Sequence, residues 1–171
     1  VSVMKCNNET GILNDIREIA SLAHAEGCLV HSDYVQALGT WFINVEQDGV
    51  DFATFSSHKI HGPKGVGAIY VRDVDKFRPL IYGGDEQEFG LRGGTENVAS
   101  IVGFGAACEI TQRDLDADMD RISALKRAFY TQLAESLKGH CEFYNNGAGL
   151  KSYSKILNLR FPSIHAESLV L

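Results

Sequence analysis

Two apolar runs, VSVMK at 1–5 and CLVHSD at 28–33, are separated by LNDIREIASLAHAEG, where Leu13, Ile16, Ile19, Ala20 and Ala23 recur at helical spacing. Strand, helix and strand in that order form a crossover unit, and such a unit joins parallel strands. Gly27 supplies the helix stop. After a loop or short helix around VQALGTW, VDFATFS at 50–56 adds a third strand rich in β-branched and aromatic residues. The next strand-like run, GAIYVR from Gly67, follows Phe55 too closely for another helical crossover, with Gly and Pro in between. It is therefore expected to run antiparallel. The fold class is α/β, a mostly parallel sheet flanked by helices.

Beyond a polar Gly-rich loop, GGDEQEFGLRGGTEN, the pattern predicts a helix from about Val98 to Ile110 and a longer one from about Leu115 to Lys138. CEFYNNG, KILNLRF and the helix-like HAESLVL then read as the start of a smaller α+β domain. The expected organisation is 1–110 as part of a large domain, 111–140 as a connecting helix, and 141–171 as the start of the small C-terminal domain. The chain opens directly in a strand-like run and closes inside a helix-like one, which is the expectation for part of a longer protein.

Composition narrows the function classes. The chain has 171 residues, 44% apolar and 22% charged, enough for a globular core. A net charge of −6 without any Lys/Arg run argues against nucleic-acid binding. Cys6, Cys28, Cys108 and Cys141 are widely spaced, with no C-x-x-C pair and no histidines at zinc spacing, so no metal site is expected and a reducing, cytoplasmic setting fits. Cys28 is expected to pack inside its strand. No apolar stretch is long enough to span a membrane, and no signal-peptide pattern opens the chain.

In an open parallel sheet, ligands sit outside the carboxyl ends of the strands. The first strand leads to Asn7 and Asn8, the second ends in Asp33 with Gln36 just after it, and the third ends in Ser56, Ser57, His58 and Lys59. Pyridoxal 5′-phosphate uses such a set: an amine for covalent attachment, a carboxylate for the pyridine nitrogen, and donors for the phosphate and phenolic oxygen. Gly62, Gly65 and Gly67 permit a tight turn after the lysine, and Pro63 fixes one dihedral in it. GPKGVG lacks the Gly-Lys-Ser/Thr ending of a nucleotide-binding P-loop.

NNETG, DYVQALG, SSHKIHGPKGVGAIYVR, GLRGGTENV, NLRF and HAESLVL, in this order, resemble the cysteine desulfurases of the NifS/IscS type, in the aminotransferase class V group of pyridoxal-phosphate enzymes. The resemblance covers essentially the whole chain and implies the fold type I architecture, usually a homodimer. It implies that Lys59 holds the cofactor and moves the substrate α-proton, that Asp33 pairs with the pyridine nitrogen, and that Gln36 bonds the phenolic oxygen. Ser56 and His58 would hold the phosphate, and Thr95 would reach the phosphate of the neighbouring subunit. Asn8 would lie near the cofactor and the substrate carboxylate.

The implied activity is conversion of L-cysteine to L-alanine, with sulfur passed to a cysteine persulfide and on to an iron–sulfur scaffold or another acceptor protein. The family's nucleophilic cysteine and substrate-binding arginine lie after this chain, and its ring-stacking histidine lies before Val1. The fragment alone is therefore expected to be inactive. A selenocysteine or cystine lyase, or a non-catalytic fragment that binds cofactor or a partner, are the alternatives. Tyr34 stands where the family usually has a small residue, His61 where an aromatic or apolar one is common, and Asp85 where a third glycine is usual.

Overall fold

The computed structural model describes residues 1–153 and 155–169. It divides into two compact units: Val1–Lys5 with Asp15–Arg113, and Cys6–Asn14 with Asp114–Leu171.

The first unit holds a four-stranded sheet in the order β1-β2-β3-β4, comprising Ser2–Met4, His31–Asp33, Phe52–Ser56 and Gly67–Val71. β1, β2 and β3 are parallel neighbours, whereas β4 pairs antiparallel to β3, with Ser56 opposite Gly67. Helix α1, Ile16–Ala25, is the crossover between β1 and β2. It starts later than its apolar pattern suggests, because the Asp15 side chain caps it by accepting from the Glu18 N–H at 3.1 Å. Leu13, expected on the helix face, instead forms an isolated bridge with Cys6. Gly27, at φ +70°, follows the helix end as the sequence predicts.

Ile16, Ala20 and Ala23 bury the inner face of α1, and Val30, Tyr34, Ala37, Val50, Ala53 and Ile60 are the other main core residues of this unit. Burying one side chain the size of Ile16 stabilises by roughly 1.5–3 kcal/mol. The short helix α2, Val45–Asp48, is capped by Asn44, whose Oδ1 accepts from the N–H groups of Glu46 and Gln47, and it ends at left-handed Gly49. VQALGTW forms turns.

The two helices expected after the Gly-rich loop are one: α3 runs without a break over Val98–Leu137. The residues between the two expected helices, 111–114, are Thr-Gln-Arg-Asp, with neither Gly nor Pro to end a helix. Cys28 is also corrected. β2 begins only at His31, so Cys28 lies in the preceding loop and is exposed.

In the second unit, β5 (Tyr144–Asn145) pairs antiparallel with β6 (Leu159–Arg160). Phe143 stacks on Phe161, ring centres 5.7 Å apart, and meets the edge of Tyr130 at 5.5 Å. Of the helix-like HAESLVL, Ala166–Leu169 forms one 3-10 turn, and Val170 and Leu171 lie outside the described residues.

Candidate active site at the strand ends

β2 and β3 are parallel and adjacent, so their carboxyl ends open on the same edge of the sheet. Asp33 is the last residue of β2 and Ser56 the last of β3. Immediately after Ser56, residues Ser57–Ile60 make a single 3-10 turn. The Ser56 hydroxyl lies 2.7 Å from Nδ1 of His58, a hydrogen bond that orients the imidazole. Lys59 is exposed, and among the described residues no side chain or carbonyl engages its ammonium. Its neighbours in the turn, Ser57 and Ile60, are buried, so the peptide on either side of the amine is fixed while the amine is not.

His61 ends this turn in the left-handed conformation, φ 66°, donating its N–H to the Ser57 carbonyl. The sequence points to Gly62, Gly65, Gly67 and Pro63 for the sharp turn, but its left-handed residue nearest Lys59 is His61. A residue with a Cβ here carries a backbone cost that the turn imposes. Gly62 then packs so closely that a Cβ would strike the Ser57 hydroxyl, and a Cβ at Gly67 would lie 2.6 Å from the Phe55 carbonyl oxygen. Both glycines are required by close approach.

Asp33 is half-buried; its Oδ1 accepts from the Val35 N–H at 2.8 Å, whereas Oδ2 has no donor among the described residues. Its carbonyl accepts from the Lys5 N–H at 2.9 Å. The Gln36 side chain is half-buried and free of hydrogen bonds among the described residues, on the turn that follows. Asp33, Gln36, Ser56, His58 and Lys59 thus share one unit and one sheet edge.

Thr95 also belongs to the first unit; it is exposed, just ahead of α3, whose start is capped by the Asn97 Oδ1 accepting from the Ser100 N–H at 3.3 Å. Asn8 belongs to the second unit and is exposed. Its neighbour Asn7 is the turn former, its Oδ1 accepting from the N–H groups of Glu9 and Thr10 and from the Thr10 hydroxyl.

Sequence reasoning missed Lys5 and Asp48. Lys5 Nζ donates to both carboxylate oxygens of Asp48, at 3.1 and 3.0 Å, and the Tyr34 hydroxyl donates to Asp48 Oδ2 at 2.6 Å. The available signals were a lysine closing an apolar strand and a tyrosine in place of a small residue. Among the described residues no cluster of His, Cys, Asp and Glu could hold a metal ion, and no helix is long and apolar enough to cross a membrane.

Comparison with known proteins gives a consistent family. A cysteine desulfurase of Klebsiella pneumoniae is 44% identical over 171 residues, all of this chain but 42% of that protein. The cysteine desulfurase IscS of Dictyoglomus turgidum is 37% identical, with the same coverage of each chain. The structure of a NifS-like protein from Rickettsia africae superposes with a TM-score of 0.84 at 33% identity, over 98% of this chain and 45% of that one. The chain therefore spans less than half the length of these relatives. The aminotransferase class-V model matches residues 1–171, from the first strand to the last residue, and the chain belongs to that family.

Proposed function

We propose that the protein of which this chain is part is a pyridoxal-phosphate-dependent cysteine desulfurase, converting L-cysteine to L-alanine and passing the sulfur to a protein thiol. The observation that carries this reading is the juxtaposition of an unpartnered lysine amine, Lys59, with the Ser56–His58 pair at the end of β3 and the Asp33 carboxylate at the end of the parallel neighbour β2. The donor set fits the cofactor: one free amine, one carboxylate oxygen without a donor, and a hydroxyl and imidazole suited to a phosphate.

When bound, the cofactor supplies an electron sink for the substrate α-carbon. In this reading Lys59 would hold it covalently, and its amine would move the substrate α-proton. Asp33 Oδ2 would keep a proton on the ring nitrogen. Gln36 would donate to the phenolic oxygen, and Ser56 and His58 would hold the phosphate. Asn8 beside the substrate carboxylate, and Thr95 reaching the phosphate of a second copy in a homodimer, rest on the family resemblance. So does an iron–sulfur scaffold or other sulfur acceptor, whereas a cytoplasmic location rests on the spacing of the cysteines, and the division into a large domain at 1–110, a connecting helix at 111–140 and a small domain at 141–171 rests on the pattern along the chain, the connecting segment being largely the second half of α3. Relatives named cysteine desulfurase support cysteine as the substrate, and one structural neighbour, 31% identical, is described in complex with cysteine.

The test is the visible spectrum of the full-length protein with pyridoxal 5′-phosphate, followed by borohydride reduction and peptide mapping. A visible band and an adduct mapped to Lys59, both lost in Lys59→Ala, are the expected result, together with alanine formed from cysteine. A folded protein that binds the cofactor at another residue, or makes no alanine, overturns the proposal.

A further inference from the structure

Tyr34 follows Asp33 directly and is fully buried, the largest such side chain among the described residues. Three contacts fix it. Its N–H donates to the Thr54 carbonyl of β3 at 3.0 Å, its ring lies 5.6 Å from that of Phe55, and its hydroxyl donates to Asp48 at 2.6 Å. Its carbonyl accepts from the N–H groups of Ala37 and Leu38, which pins the turn carrying Gln36.

Asp48 is also held from the other side. Lys5 clasps both of its oxygens, and each of the two side chains is mostly shielded from water, at 12% and 15% exposure. The same Lys5 gives its backbone N–H to the Asp33 carbonyl. A closed ring results: Asp33 to Tyr34 along the chain, Tyr34 to Asp48 through the phenol, Asp48 to Lys5 through the ion pair, and Lys5 back to Asp33. Burial, then the hydrogen bond and charge of Asp48, push the Tyr34 phenol well above its ordinary range, so it remains a donor.

We propose that Tyr34 is a positioning residue for Asp33, acting through Asp48 and Lys5, so that the ring of contacts sets how firmly the Asp33 carboxylate holds a proton on the nitrogen of a bound pyridinium ring. This rests on the role given to Asp33 above. The two oxygens of Asp33 are used differently: Oδ1 is spent on the Val35 N–H, and Oδ2 remains for a ligand. A carboxylate aimed by a single local hydrogen bond depends on its backbone for direction, and here the peptide group that follows the Asp33 α-carbon is tied at both ends, its carbonyl to the Lys5 N–H and its N–H to the Thr54 carbonyl. A small residue at 34 could reach neither Asp48 nor Phe55.

The experiment uses the full-length protein loaded with pyridoxal 5′-phosphate labelled with 15N in the ring, observed at one fixed, mildly alkaline pH. The 15N chemical shift reports ring protonation independently of turnover, and the cofactor dissociation constant is measured in parallel. Tyr34→Phe, which keeps the packing and removes the donor, is expected to move the shift toward the unprotonated value and weaken binding about tenfold, the scale of one hydrogen bond to a charged group. Asp48→Asn, which keeps an acceptor for the phenol but loses the ion pair, should move it the same way by less. Asp33→Asn should move it furthest. Ile16→Val, a core change in α1, should lower stability and leave the shift alone.

If Asp33→Asn moves the signal but Tyr34→Phe leaves both shift and affinity as in the parent, the positioning role is overturned and the role of Asp33 stands. If Asp33→Asn itself has no effect, the role of Asp33 fails, and the positioning role with it. A shift in Ile16→Val as large as that in Tyr34→Phe means that the signal follows general stability, which also overturns the positioning role.

Discussion

The Ser56 hydroxyl and Nδ1 of His58 lie 2.7 Å apart across the turn that carries Lys59 to the sheet edge. His58 is exposed and Ser56 half-buried, so the bond adds little to folding; surface changes of this kind usually stay within about 0.5 kcal/mol. What it fixes is the direction of the imidazole beside a free amine. Ser56→Ala is therefore expected to leave the denaturant midpoint unchanged while weakening pyridoxal-phosphate affinity roughly tenfold, since a bond to an anionic phosphate is worth about 1.5–3 kcal/mol. A cofactor titration beside a urea curve reads both. Equal affinity in the two proteins would remove Ser56 from the phosphate site.

His61 occupies the left-handed region at φ 66°, two residues after Lys59. A β-branched side chain tolerates that conformation poorly, so His61→Val should destabilise by about 1–3 kcal/mol. His61→Gly should not, since the relief of strain offsets the added freedom of the unfolded chain. Urea denaturation of the pair is the check. Equal loss in both would mean that the His61 side chain, rather than its backbone conformation, matters.

Gly39 buttresses the same turn from behind. Its φ is +77°, and a Cβ there would sit 2.6 Å from Cγ2 of Ile60, the residue after Lys59. Gly39→Ala combines a strained conformation with a steric clash, and should cost more than the ~1 kcal/mol that a compatible replacement would gain. Stability in urea is the first readout. A cofactor affinity that also falls would show that the displaced Ile60 carries Lys59 with it.

The sequence pattern was sufficient for the sheet because each strand there has a short-range cause. The α1 pattern imposes a parallel crossover, and the short Gly- and Pro-containing link from Phe55 to Gly67 imposes an antiparallel return. The cluster of Asp33, Ser56, His58 and Lys59 follows from topology alone, since parallel strands end on one edge. The Tyr34–Asp48–Lys5 contacts could not be read in that way. Lys5 and Asp48 are 43 positions apart, and nothing local marks them as partners. Asp48 sits in a four-residue helix whose polar pattern reads as a solvated turn. The continuity of α3 is not legible for the opposite reason: the polar residues 111–114 interrupt the apolar pattern, although none of them stops a helix.

Stability should also depend on acid in a specific way. Asp51 Oδ2 accepts from the Val30 N–H at 2.7 Å and from His24 Nε2 at 2.8 Å, tying the residue just before β2 to the last turn of α1. Burial raises the Asp51 pKa, but the bonds to His24 and Val30 and the charges of His24 and Arg72 outweigh it, and the carboxyl titrates below its ordinary value. A depressed carboxylate contributes stability that is present above its unfolded pKa, roughly 3.9, and is lost as pH falls through the folded value. Asp51→Asn should thus cost about 1–3 kcal/mol near neutrality, with the gap to the parent closing below about pH 4. A gap that stays constant into acid would mean that the carboxylate charge contributes nothing.

Thiol chemistry separates two cysteines that look alike in the sequence. Cys6 is fully buried, and burial pushes its pKa up from 9.0 to about 11, so its thiolate fraction near neutrality falls by about a hundredfold. Cys28 is exposed in the loop before β2. A thiol reagent such as Ellman's should modify Cys28 in the native protein and reach Cys6 only when the chain unfolds. Mapping the labelled peptides in buffer and in denaturant, with Cys28→Ser as a control, decides it. Rapid native labelling of Cys6 would mean that the loop bridging Cys6 to Leu13 opens on the timescale of the reaction, and that the bridge between those residues is a minor anchor of its unit.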